Sequence, residues 1–364
     1  MRRTPALIVG GGLAGAATAI QLARAGLPHL LVERSRETGD AICGGFLSWR
    51  TLETLAELGI DPDTLNPARV TRARIYAGTR RADATLPRPA VSVTRHRLDT
   101  VMLAQAARLG TPVERGVTVR EIDGMTVRTA DGATFAPDVL FLASGKHDVR
   151  GMARPDDARG SDPTLGLRVR IAPSPALRSA LDGGIELHLF DRGYAGLAMQ
   201  EDGTANLCMA VHRSRLQAAG SPAQLLEALG REMSALGEWV ALIDGRAPID
   251  AIANVPYGWR QREGVDAIFR LGDQAGVIPS LAGEGMGIAL ASGVAAASAY
   301  TSGGAKAAVG WQHQFARHLA RPIGIAGLVR NVAESGRAAW LLPFLRPSLI
   351  QVIANATRIG SVRG

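Results

Sequence analysis

Runs of apolar residues, separated by small-residue turns and helical stretches, occur in the first part of the chain and again in its last part. Four of the runs predict buried strands of a parallel sheet. They cover residues 7–9, 30–33, 138–145 and 267–273. Small and apolar residues at helical spacing over 16–25 predict a helix between the first two runs, ended by Gly26.

The middle of the chain has a different pattern, in which apolar and polar residues alternate with a period of two. Such segments cover residues 165–171, 185–189, 194–199 and 205–211. Few helical stretches separate them, so they predict an antiparallel sheet. One amphipathic helix is expected afterwards, over residues 222–236. This unit interrupts the parallel pattern and is therefore an insertion in it.

Shorter segments complete the predicted outline. Strands are expected at 72–77, 82–86, 113–122, 126–129 and 134–135, and helices at 49–58 and 98–109. Pro87 and Pro89 interrupt the pattern after the second of these strands. Residues 285–305 carry no charge but are rich in Ala, Gly and Ser, so we expect a buried helix rather than a membrane span.

The charge of the chain favours an anionic small molecule over a nucleic acid as its partner. The 364 residues include 41 basic and 33 acidic side chains, with a formal net charge of +8. The arginines are dispersed rather than gathered with aromatic platforms, so we expect no nucleic-acid binding. Cys43 and Cys208 lie far apart without metal-ligand spacing, which predicts neither a disulfide framework nor a metal site and fits a reducing cytoplasm.

A glycine-rich turn after the first apolar run carries the clearest chemical signal. Gly10, Gly12 and Gly15 have the GxGxxG spacing. The first glycine permits a tight turn, the second opens the backbone to a pyrophosphate, and the third brings the helix close to the strand. Glu33, at the tip of the next strand, is placed to accept hydrogen bonds from a ribose. The segment predicts a dinucleotide site, and a purely structural glycine turn is the alternative.

Later loops supply groups that suit the rest of an extended cofactor. Gly44 and Gly45 would let the backbone approach a flat ring. Arg95, at the start of a predicted helix, is either a phosphate clamp or a solvated charge. Asp273 ends a strand and suits a ribose hydroxyl, and the glycines that follow it precede a helix N-terminus suited to negative charge. Cys43 is either a catalytic thiol or an inert one.

Taken together, these motifs resemble those of the FAD-binding proteins of the para-hydroxybenzoate hydroxylase fold. The resemblance rests on the glycine fingerprint with Glu33 and on Arg95 three residues before Leu98-Asp99. It rests also on Gly272-Asp273, followed by Pro279 and by the glycine-rich residues 283–287.

Within that superfamily the chain is most similar to the geranylgeranyl reductase-like branch. Cys43-Gly-Gly stands where that branch has a Cys-Gly-Gly loop, and residues 193–196 resemble its Gly-Tyr-x-Trp stretch. Two positions differ from the branch. Gly196 replaces the tryptophan, and residues 143–145 are Ala-Ser-Gly in place of Ala-Asp-Gly.

The resemblance implies a set of FAD contacts. Glu33 would hold the adenosine ribose, Arg34 would lie along the adenine, and Val119 would touch the adenine through its backbone. Arg95 and Asp273 would flank the pyrophosphate and the ribitol. The remaining contacts to phosphates and flavin would come from Gly10, Gly12, Leu13, Ala14, Gly15, Gly44, Gly45, Pro279, Gly283, Gly285, Met286 and Gly287.

Three functions are open, and all of them use FAD. In the one we favour, NAD(P)H reduces the flavin, which then reacts with oxygen to hydroxylate or epoxidise an apolar or aromatic small molecule. In the second, the reduced flavin delivers hydride to a carbon-carbon double bond of a lipid or isoprenoid, with Cys43 as the candidate acid. Tyr194 is a further candidate catalytic residue. The third is a non-catalytic electron-relay or binding protein.

The expected architecture is an α/β (α+β) fold with a discontinuous domain. A Rossmann-type FAD-binding domain is expected over 1–70, 95–160 and 256–305, an inserted antiparallel β-sheet substrate domain over 71–94 and 161–255, and a C-terminal helical segment over 306–364. The apolar residues over 340–353, with Arg330, Arg337, Arg346 and Arg358 among and around them, suit an apolar substrate, a peripheral membrane contact, a cover for the FAD domain or a dimer contact. We expect a cytoplasmic location, with membrane association as an option.

Overall fold

Two β-sheets organise the chain in a computed structural model that describes residues 1–359. The first is largely parallel, and the second is mixed and formed mainly by the middle of the chain. This arrangement confirms the predicted fold class.

The elements of the described residues are numbered here in chain order. Strands are β1 Arg2–Val9, β2 Leu30–Glu33, β3 Phe46–Leu47, β4 Val70–Ala77, β5 Arg80–Ser92, β6 Val113–Arg115, β7 Val119–Asp123, β8 Thr126–Thr129, β9 Thr134–Leu142, β10 Thr164–Ile171, β11 Gly184–Phe190, β12 Gly193–Met199, β13 Ala205–His212, β14 Asp250–Val255 and β15 Ile268–Arg270. Helices are α1 Leu13–Arg24, α2 Trp49–Glu57, α3 Pro62–Leu65, α4 Arg95–Arg108, α5 Pro175–Leu181, α6 Arg213–Ala219, α7 Pro222–Glu232, α8 Ser234–Val240, α9 Gly285–Gly303, α10 Ala307–His318, α11 Ala320–Ala333, α12 Ala338–Leu341 and α13 Pro347–Ala356.

The first sheet has the strand order β6-β2-β1-β9-β8-β7, with β15 also beside β9. Its parallel core pairs Leu7 of β1 with Leu30 on one side and with Leu140 on the other. These strands are continuously apolar because helices and loops cover both faces of the sheet. The prediction of two strands at 134–135 and 138–145 is wrong, because β9 runs unbroken past Pro137. That residue lies between the stretch that pairs with β8 and the stretch that pairs with β15.

Close contact between α1 and α9 sets the position of both helix N-termini. A Cβ at Gly293 would lie 2.4 Å from the carbonyl oxygen of Ala14, so only glycine allows the helices to approach this closely. Ala, Gly and Ser residues along α9 are buried in this contact, as predicted for 285–305. None of the helices within residues 1–359 combines the length and apolarity needed to cross a bilayer.

The second sheet has the strand order β14-β10-β13-β12-β11-β4-β5-β3. Its pairs are antiparallel, as predicted, except that β4 and β11 are parallel, with Ile75 opposite Leu187. Helices α7 and α8 cover one face. The single helix predicted over 222–236 is wrong. Met233 adopts an extended conformation with φ −132°, and the chain turns there so that Gly237 packs against Gly230.

Two further expectations about strands are wrong. Strand β5 continues through Pro87 and Pro89, because both prolines lie where the register with β4 shifts between the pairs Val70–Ala90 and Arg72–Thr85. A proline is tolerated at such an irregularity because no regular ladder bond is lost. The strand expected over 113–122 is divided at Gly116, which has φ +79°.

The C-terminal segment packs on the second sheet and on the loop before α9. Ala338 and Leu342 pack on Ile75 of β4, and the side-chain amide of Gln351 donates a 3.0 Å hydrogen bond to the carbonyl of Thr85 in β5. Beyond α13, Arg358 reaches the loop before α9. The segment therefore links the second sheet to the loop that precedes α9.

Candidate cofactor and substrate site

The glycine fingerprint forms a turn whose backbone is tightly packed. Gly10 has φ +107°, and a Cβ there would lie 2.4 Å from the carbonyl oxygen of Ala143. A Cβ at Gly15 would lie 1.9 Å from the carbonyl oxygen of Gly10. Gly10 is therefore required for close contact between neighbouring strands, and Gly15 for close contact between the strand and the helix.

Gly12 differs from the other two glycines because it borders open space. Its added Cβ would come no closer than 3.8 Å to any atom, the nearest being Nη2 of Arg95. Gly12 is also the N-cap of α1, and no side chain caps this helix end. The free amides of the first turn therefore face a space bordered by a guanidinium, which is an arrangement that binds anions.

Arg95 is held in this position by a carboxylate one helical turn away. Its Nε and Nη2 donate to the two oxygens of Asp99 at 3.0 and 2.8 Å. Burial lowers the pKa of Arg95, but the charge and hydrogen bond of Asp99, together with the nearby Cys43 and Asp273, oppose that effect and raise the pKa overall. Nη2 of Arg95 is therefore held by Asp99 and also lies next to the open space in front of Gly12.

The predicted adenosine contacts lie at the carboxyl end of the first sheet. Glu33 Oε2 accepts a 2.7 Å hydrogen bond from the amide of Gly11. Arg34 is exposed, and its Nη2 lies 2.8 Å from Nε2 of His147. Val119 begins β7. It lies near Glu33 because the amide of Val117, two residues earlier, donates a hydrogen bond to the Glu33 carbonyl. These positions lie outside the lining of the large cavity described below.

A second helix N-terminus points into the same region. Asp273 lies in a short turn directly after β15, and Gly283, with φ +64°, leads to α9. Helix α9 begins at Gly285 without a side-chain cap, and a Cβ at Gly285 would meet nothing within 4 Å. The amides of this first turn are therefore accessible.

Glu284, between these glycines, faces away from the open space and into the protein. Its side chain is fully buried and accepts hydrogen bonds from Ser48 Oγ at 2.9 Å, Arg358 Nη1 at 2.7 Å and the Ile359 amide at 3.2 Å. A Cβ at Gly287 would lie 2.4 Å from Glu284 Oε1, so Gly287 packs against this carboxylate. Burial raises the pKa of Glu284, and the Arg358 charge opposes that shift.

The loop that carries Cys43 is fixed through its backbone. Arg168 donates to the carbonyls of Asp40 and Ala41 at 2.9 and 3.2 Å. Lys146 donates to the next carbonyl, that of Ile42, at 3.1 Å, and Asn206 donates to that of Cys43 at 2.8 Å. Four consecutive carbonyls are thus held by three side chains, two of them from the second sheet.

One cavity of about 610 Å³ joins these elements. Its lining combines positions predicted to hold a cofactor with many apolar side chains. The predicted residues in its lining are Gly12, Leu13, Ala14, Cys43, Gly44, Gly45, Arg95, Tyr194, Asp273, Gly283, Gly285 and Met286. Among the described residues, the predicted positions outside the lining are Gly10, Gly15, Glu33, Arg34, Val119, Pro279 and Gly287.

The chain matches the sequence profile of a family described as FAD binding domain over residues 3–150. The Escherichia coli K12 protein named "probable electron transfer flavoprotein-quinone oxidoreductase YdiS" is 32% identical over 161 residues, which cover 40% of this chain and 37% of that protein. An uncharacterized protein of the nifH2 5′ region of Methanosarcina barkeri is 32% identical over 133 residues, or 34% of this chain and 71% of that protein.

Solved structures share the fold over almost the whole chain. A flavoprotein/dehydrogenase from Cytophaga hutchinsonii has TM-score 0.81 and 18% identity, covering 98% of this chain and 92% of its own. PqsL from Pseudomonas aeruginosa, a probable FAD-dependent monooxygenase, has TM-score 0.72 and 18% identity, covering 94% and 100%. A geranylgeranyl bacteriochlorophyll reductase-like protein from Thermoplasma acidophilum has TM-score 0.68 and 18% identity, covering 100% and 94%.

The chain belongs to the FAD-dependent oxidoreductases of the para-hydroxybenzoate hydroxylase-like superfamily. The residues of this flavoprotein fit FAD. Gly12 and Gly285 leave open space in front of two uncapped helix N-termini, and Arg95 adds a fixed positive charge beside the first. A diphosphate and an electron-rich ring are the groups that such donors would bind.

Tyr194 belongs to a hydroxyl cluster that the sequence did not predict as a unit. The hydroxyls of Tyr194 and of Tyr257 both hydrogen-bond Ser280 Oγ, and all three residues line the cavity of the flavoprotein. Tyr194 is buried, and burial holds the pKa of its hydroxyl well above 10.0. The hydroxyl is therefore neutral and remains a proton donor across the physiological pH range.

One cavity residue and two side chains that hold the Cys43 loop were not predicted from the sequence. Cys208 lines the cavity from β13, where burial raises the pKa of its thiol to about 12. The sequence places it in an alternating strand but gives no sign of the cavity behind that strand. Arg168 and Asn206 likewise lie in predicted strands, and their contacts with the Cys43 loop join segments more than 100 residues apart, at separations of 127 and 163 residues.

Proposed function

We propose that this flavoprotein is a single-component monooxygenase that uses NAD(P)H and oxygen to hydroxylate or epoxidise an apolar or aromatic small molecule. The observation that carries the proposal is the composition of the cavity beyond the cofactor positions. Side chains there come from the second sheet and the C-terminal helices, and include Ile75, Leu187, Met209, Val329 and Ile353. An apolar molecule would displace water from these walls at little polar cost.

FAD, when bound, supplies two-electron redox chemistry, accepting hydride from a reduced nicotinamide and passing electrons to oxygen or to an organic acceptor. Gly12, with the first turn of α1 and Arg95, would bind the diphosphate. Glu33 would accept hydrogen bonds from the adenosine ribose, and Asp273 from the ribitol. The first turn of α9 would stabilise negative charge on the ring.

The residues of the chain have three tasks in this proposal. The apolar walls exclude water from the reaction space. The backbone of the Cys43 loop, held by Arg168, Lys146 and Asn206, fixes one border of the cavity. Tyr194 holds a proton on its hydroxyl beside Ser280 and orients a polar group of the substrate.

A second candidate is a reductase of carbon-carbon double bonds. Two thiols, of Cys43 and Cys208, and the hydroxyls of Tyr194 and Tyr257 line the same cavity, and any of these could donate a proton to a reduced substrate. A third candidate, electron transfer without substrate oxygenation, is supported by the similarity to the Escherichia coli protein named as a probable electron transfer flavoprotein-quinone oxidoreductase.

Oxygen consumption separates these candidates. The purified protein would be mixed with NADH or NADPH and with a panel of phenols, quinones and isoprenoid lipids, with and without isotopically labelled oxygen. The monooxygenase proposal predicts substrate-stimulated oxygen uptake and one labelled oxygen atom in the product. Saturation of a double bond under anaerobic conditions would instead establish the reductase, and quinone reduction with no modified product would establish electron transfer.

A further inference from the structure

Exposed apolar side chains of the flavoprotein are concentrated in one short segment. Ten large apolar residues of the described chain are exposed, and seven of them lie between residues 328 and 352. The seven are Leu328, Val332, Trp340, Leu341, Phe344, Leu349 and Val352. Trp340 and Phe344 are 71% and 79% exposed, which is unusual for aromatic side chains of a soluble surface. We call these seven residues the C-terminal apolar surface.

This surface is continuous with the cavity lining. Leu328, Val332 and Leu341 belong both to the C-terminal apolar surface and to the cavity lining. A molecule that leaves the cavity past these side chains therefore meets apolar surface before it meets water.

The charges next to the surface are positive. Arg337 and Arg346, which flank Trp340 and Phe344 in the sequence, are exposed, and the guanidinium of Arg80 lies 5.7 Å from the Trp340 ring centroid. Glu334, the single acid between residues 320 and 359, is buried and hydrogen-bonded to Arg330 at 2.8 Å. Asp191, which lies beside Gly336, is paired with Arg192 at 3.1 Å.

We propose that the C-terminal apolar surface docks on the surface of a bilayer that contains anionic phospholipids, with the cavity opening toward the lipid. Aromatic and aliphatic side chains on short helices, bordered by arginines, are the composition of segments that lie in the membrane interface. The arginines match the negative charge of the headgroups, and an interface between copies of this chain would instead bring these like charges together. The proposal holds whichever redox reaction the cavity supports.

Vesicle binding of the full-length, FAD-loaded protein tests this proposal. We expect co-sedimentation with phosphatidylcholine vesicles that contain phosphatidylserine, weaker binding to phosphatidylcholine alone, and a decrease in binding as salt is raised. Replacing Trp340 or Phe344 by serine should lower the partition coefficient by about tenfold each, because each side chain loses its apolar transfer energy. Arg337→Gln and Arg346→Gln should each lower it about fivefold on anionic vesicles.

Matched variants distinguish vesicle binding by this surface from nonspecific adsorption of the protein. Leu242→Ser and Arg178→Gln change an exposed apolar residue and an exposed arginine elsewhere, and should leave vesicle binding unchanged. Trp340 and Phe344 are exposed, so their replacement should also leave the thermal midpoint and the flavin content unchanged. The proposal is overturned if the parent does not bind anionic vesicles, or if both aromatic variants bind as well as the parent. It is also overturned if the parent is a dimer without vesicle affinity that these variants convert to a monomer.

Discussion

The guanidinium Nη1 of Arg358 lies 2.7 Å from Oε2 of Glu284 and joins the end of the described chain to the first turn of α9. The same nitrogen donates to the carbonyls of Ala282 at 2.7 Å and Gly283 at 3.2 Å. One side chain therefore fixes three consecutive residues of the loop that would border the flavin. The exposed fractions of the two side chains are 8% for Arg358 and 0% for Glu284, so the pair is removed from water.

Removal of this arginine should destabilise the protein strongly. Arg358→Ala leaves the Glu284 carboxylate buried without its cation, a change that costs about 3–5 kcal/mol in the free energy of unfolding. Urea denaturation measures the loss. Arg346→Ala, an exposed arginine in the same segment, should change the free energy by less than about 0.5 kcal/mol. An equally small effect of Arg358→Ala would show that the pair contributes nothing to stability.

The loss should depend on pH, with a definite sign. Burial raises the pKa of Glu284 above its ordinary value of 4.5, and Arg358 opposes this shift. In Arg358→Ala the raised pKa is no longer opposed, so the stability of the variant is greatest below the unfolded pKa and decreases as pH rises through the folded pKa. Urea denaturation at pH 5 and pH 8 should give the larger difference from the parent at pH 8. A larger difference at pH 5 would contradict this assignment of charge.

Asp273 should contribute to FAD affinity. Asp273 lines the cavity directly after β15, and the proposed function has its carboxylate accept a hydrogen bond from the ribitol. Asp273→Ala should weaken FAD binding by about 1–3 kcal/mol, because a buried polar group of the cofactor loses its partner. Fluorescence titration of the apoprotein with FAD measures the affinity. Glu33→Ala should weaken FAD binding by a similar amount at the adenosine end.

Asp266→Ala is the control for charge, since Asp266 is exposed and precedes β15. FAD titration with equal affinity for the parent and for Asp273→Ala would remove Asp273 from the cofactor site. Release of FMN, or of no flavin, from the purified parent would refute the assignment of all the adenosine contacts.

Cys208 should be unreactive toward alkylating reagents at neutral pH. Burial raises the pKa of its thiol from 9.0 to about 12, so at pH 8 only about one thiol in 10⁴ is ionised, and the thiolate is the nucleophile. Reaction with iodoacetamide, followed by mass spectrometry of the Cys208 peptide, should accelerate by about tenfold per pH unit up to pH 11. Denatured protein at pH 8 is the control and should react rapidly. Rapid modification of Cys208 in the native protein at pH 8 would show that the strand does not shield it.

The sequence predicted those parts of the site that are set by local backbone chemistry. Gly15 packs against the Gly10 carbonyl within a single strand-turn-helix unit, and the spacing of these two glycines indicates that unit. Asp273 and Gly283 similarly follow a strand and precede a helix within one short segment. Local order along the chain is sufficient for such predictions because the interacting atoms belong to neighbouring elements.

Contacts between distant segments could not be predicted in this way. The Glu284–Arg358 pair joins residues 74 positions apart, and no periodicity marks either residue as buried. Strand β5 shows a related limit, since Pro87 and Pro89 are tolerated only because of the register shift in β4, a property of the partner strand. The Tyr194–Ser280–Tyr257 cluster depends on how the second sheet meets the loop before α9. Each of these features arises from tertiary packing and has no local signature.

Tyr194 should affect substrate conversion more than flavin reduction. Tyr194→Phe removes the hydroxyl that hydrogen-bonds Ser280 but leaves the ring in place, so stability should change by only about 1 kcal/mol. If the hydroxyl orients or protonates the substrate, the conversion step should slow by about 10²-fold while reduction by NAD(P)H is unchanged. Stopped-flow measurement follows flavin reduction and substrate conversion separately.

Tyr257→Phe removes the other hydroxyl that hydrogen-bonds Ser280 and is the matched control. We expect it to have the smaller effect because Tyr257 is less buried than Tyr194. Equal and small effects of both variants would exclude a chemical role for Tyr194.

Cys43 distinguishes the two enzymatic candidates most directly. Its Sγ accepts a hydrogen bond from the Gly45 amide at 3.5 Å, and its backbone carbonyl is held by Asn206. Serine is nearly isosteric and keeps these contacts, so Cys43→Ser changes the chemistry of the side chain while preserving the loop.

For a monooxygenase we expect Cys43→Ser to alter turnover by less than about tenfold, which corresponds to about 1.4 kcal/mol on the barrier. If the flavoprotein reduces double bonds and Cys43 donates the proton, the loss should instead be about 10²–10⁴-fold and confined to substrate conversion. Single-turnover kinetics measure the rate of flavin reduction and the rate of product formation separately.

Cys208→Ser is the matched control, because it replaces the other thiol in the cavity and leaves the sequence of the Cys43 loop unchanged. A large loss that is specific to Cys43→Ser and to the conversion step would overturn the monooxygenase proposal, since in that reaction the thiol has no proton to supply.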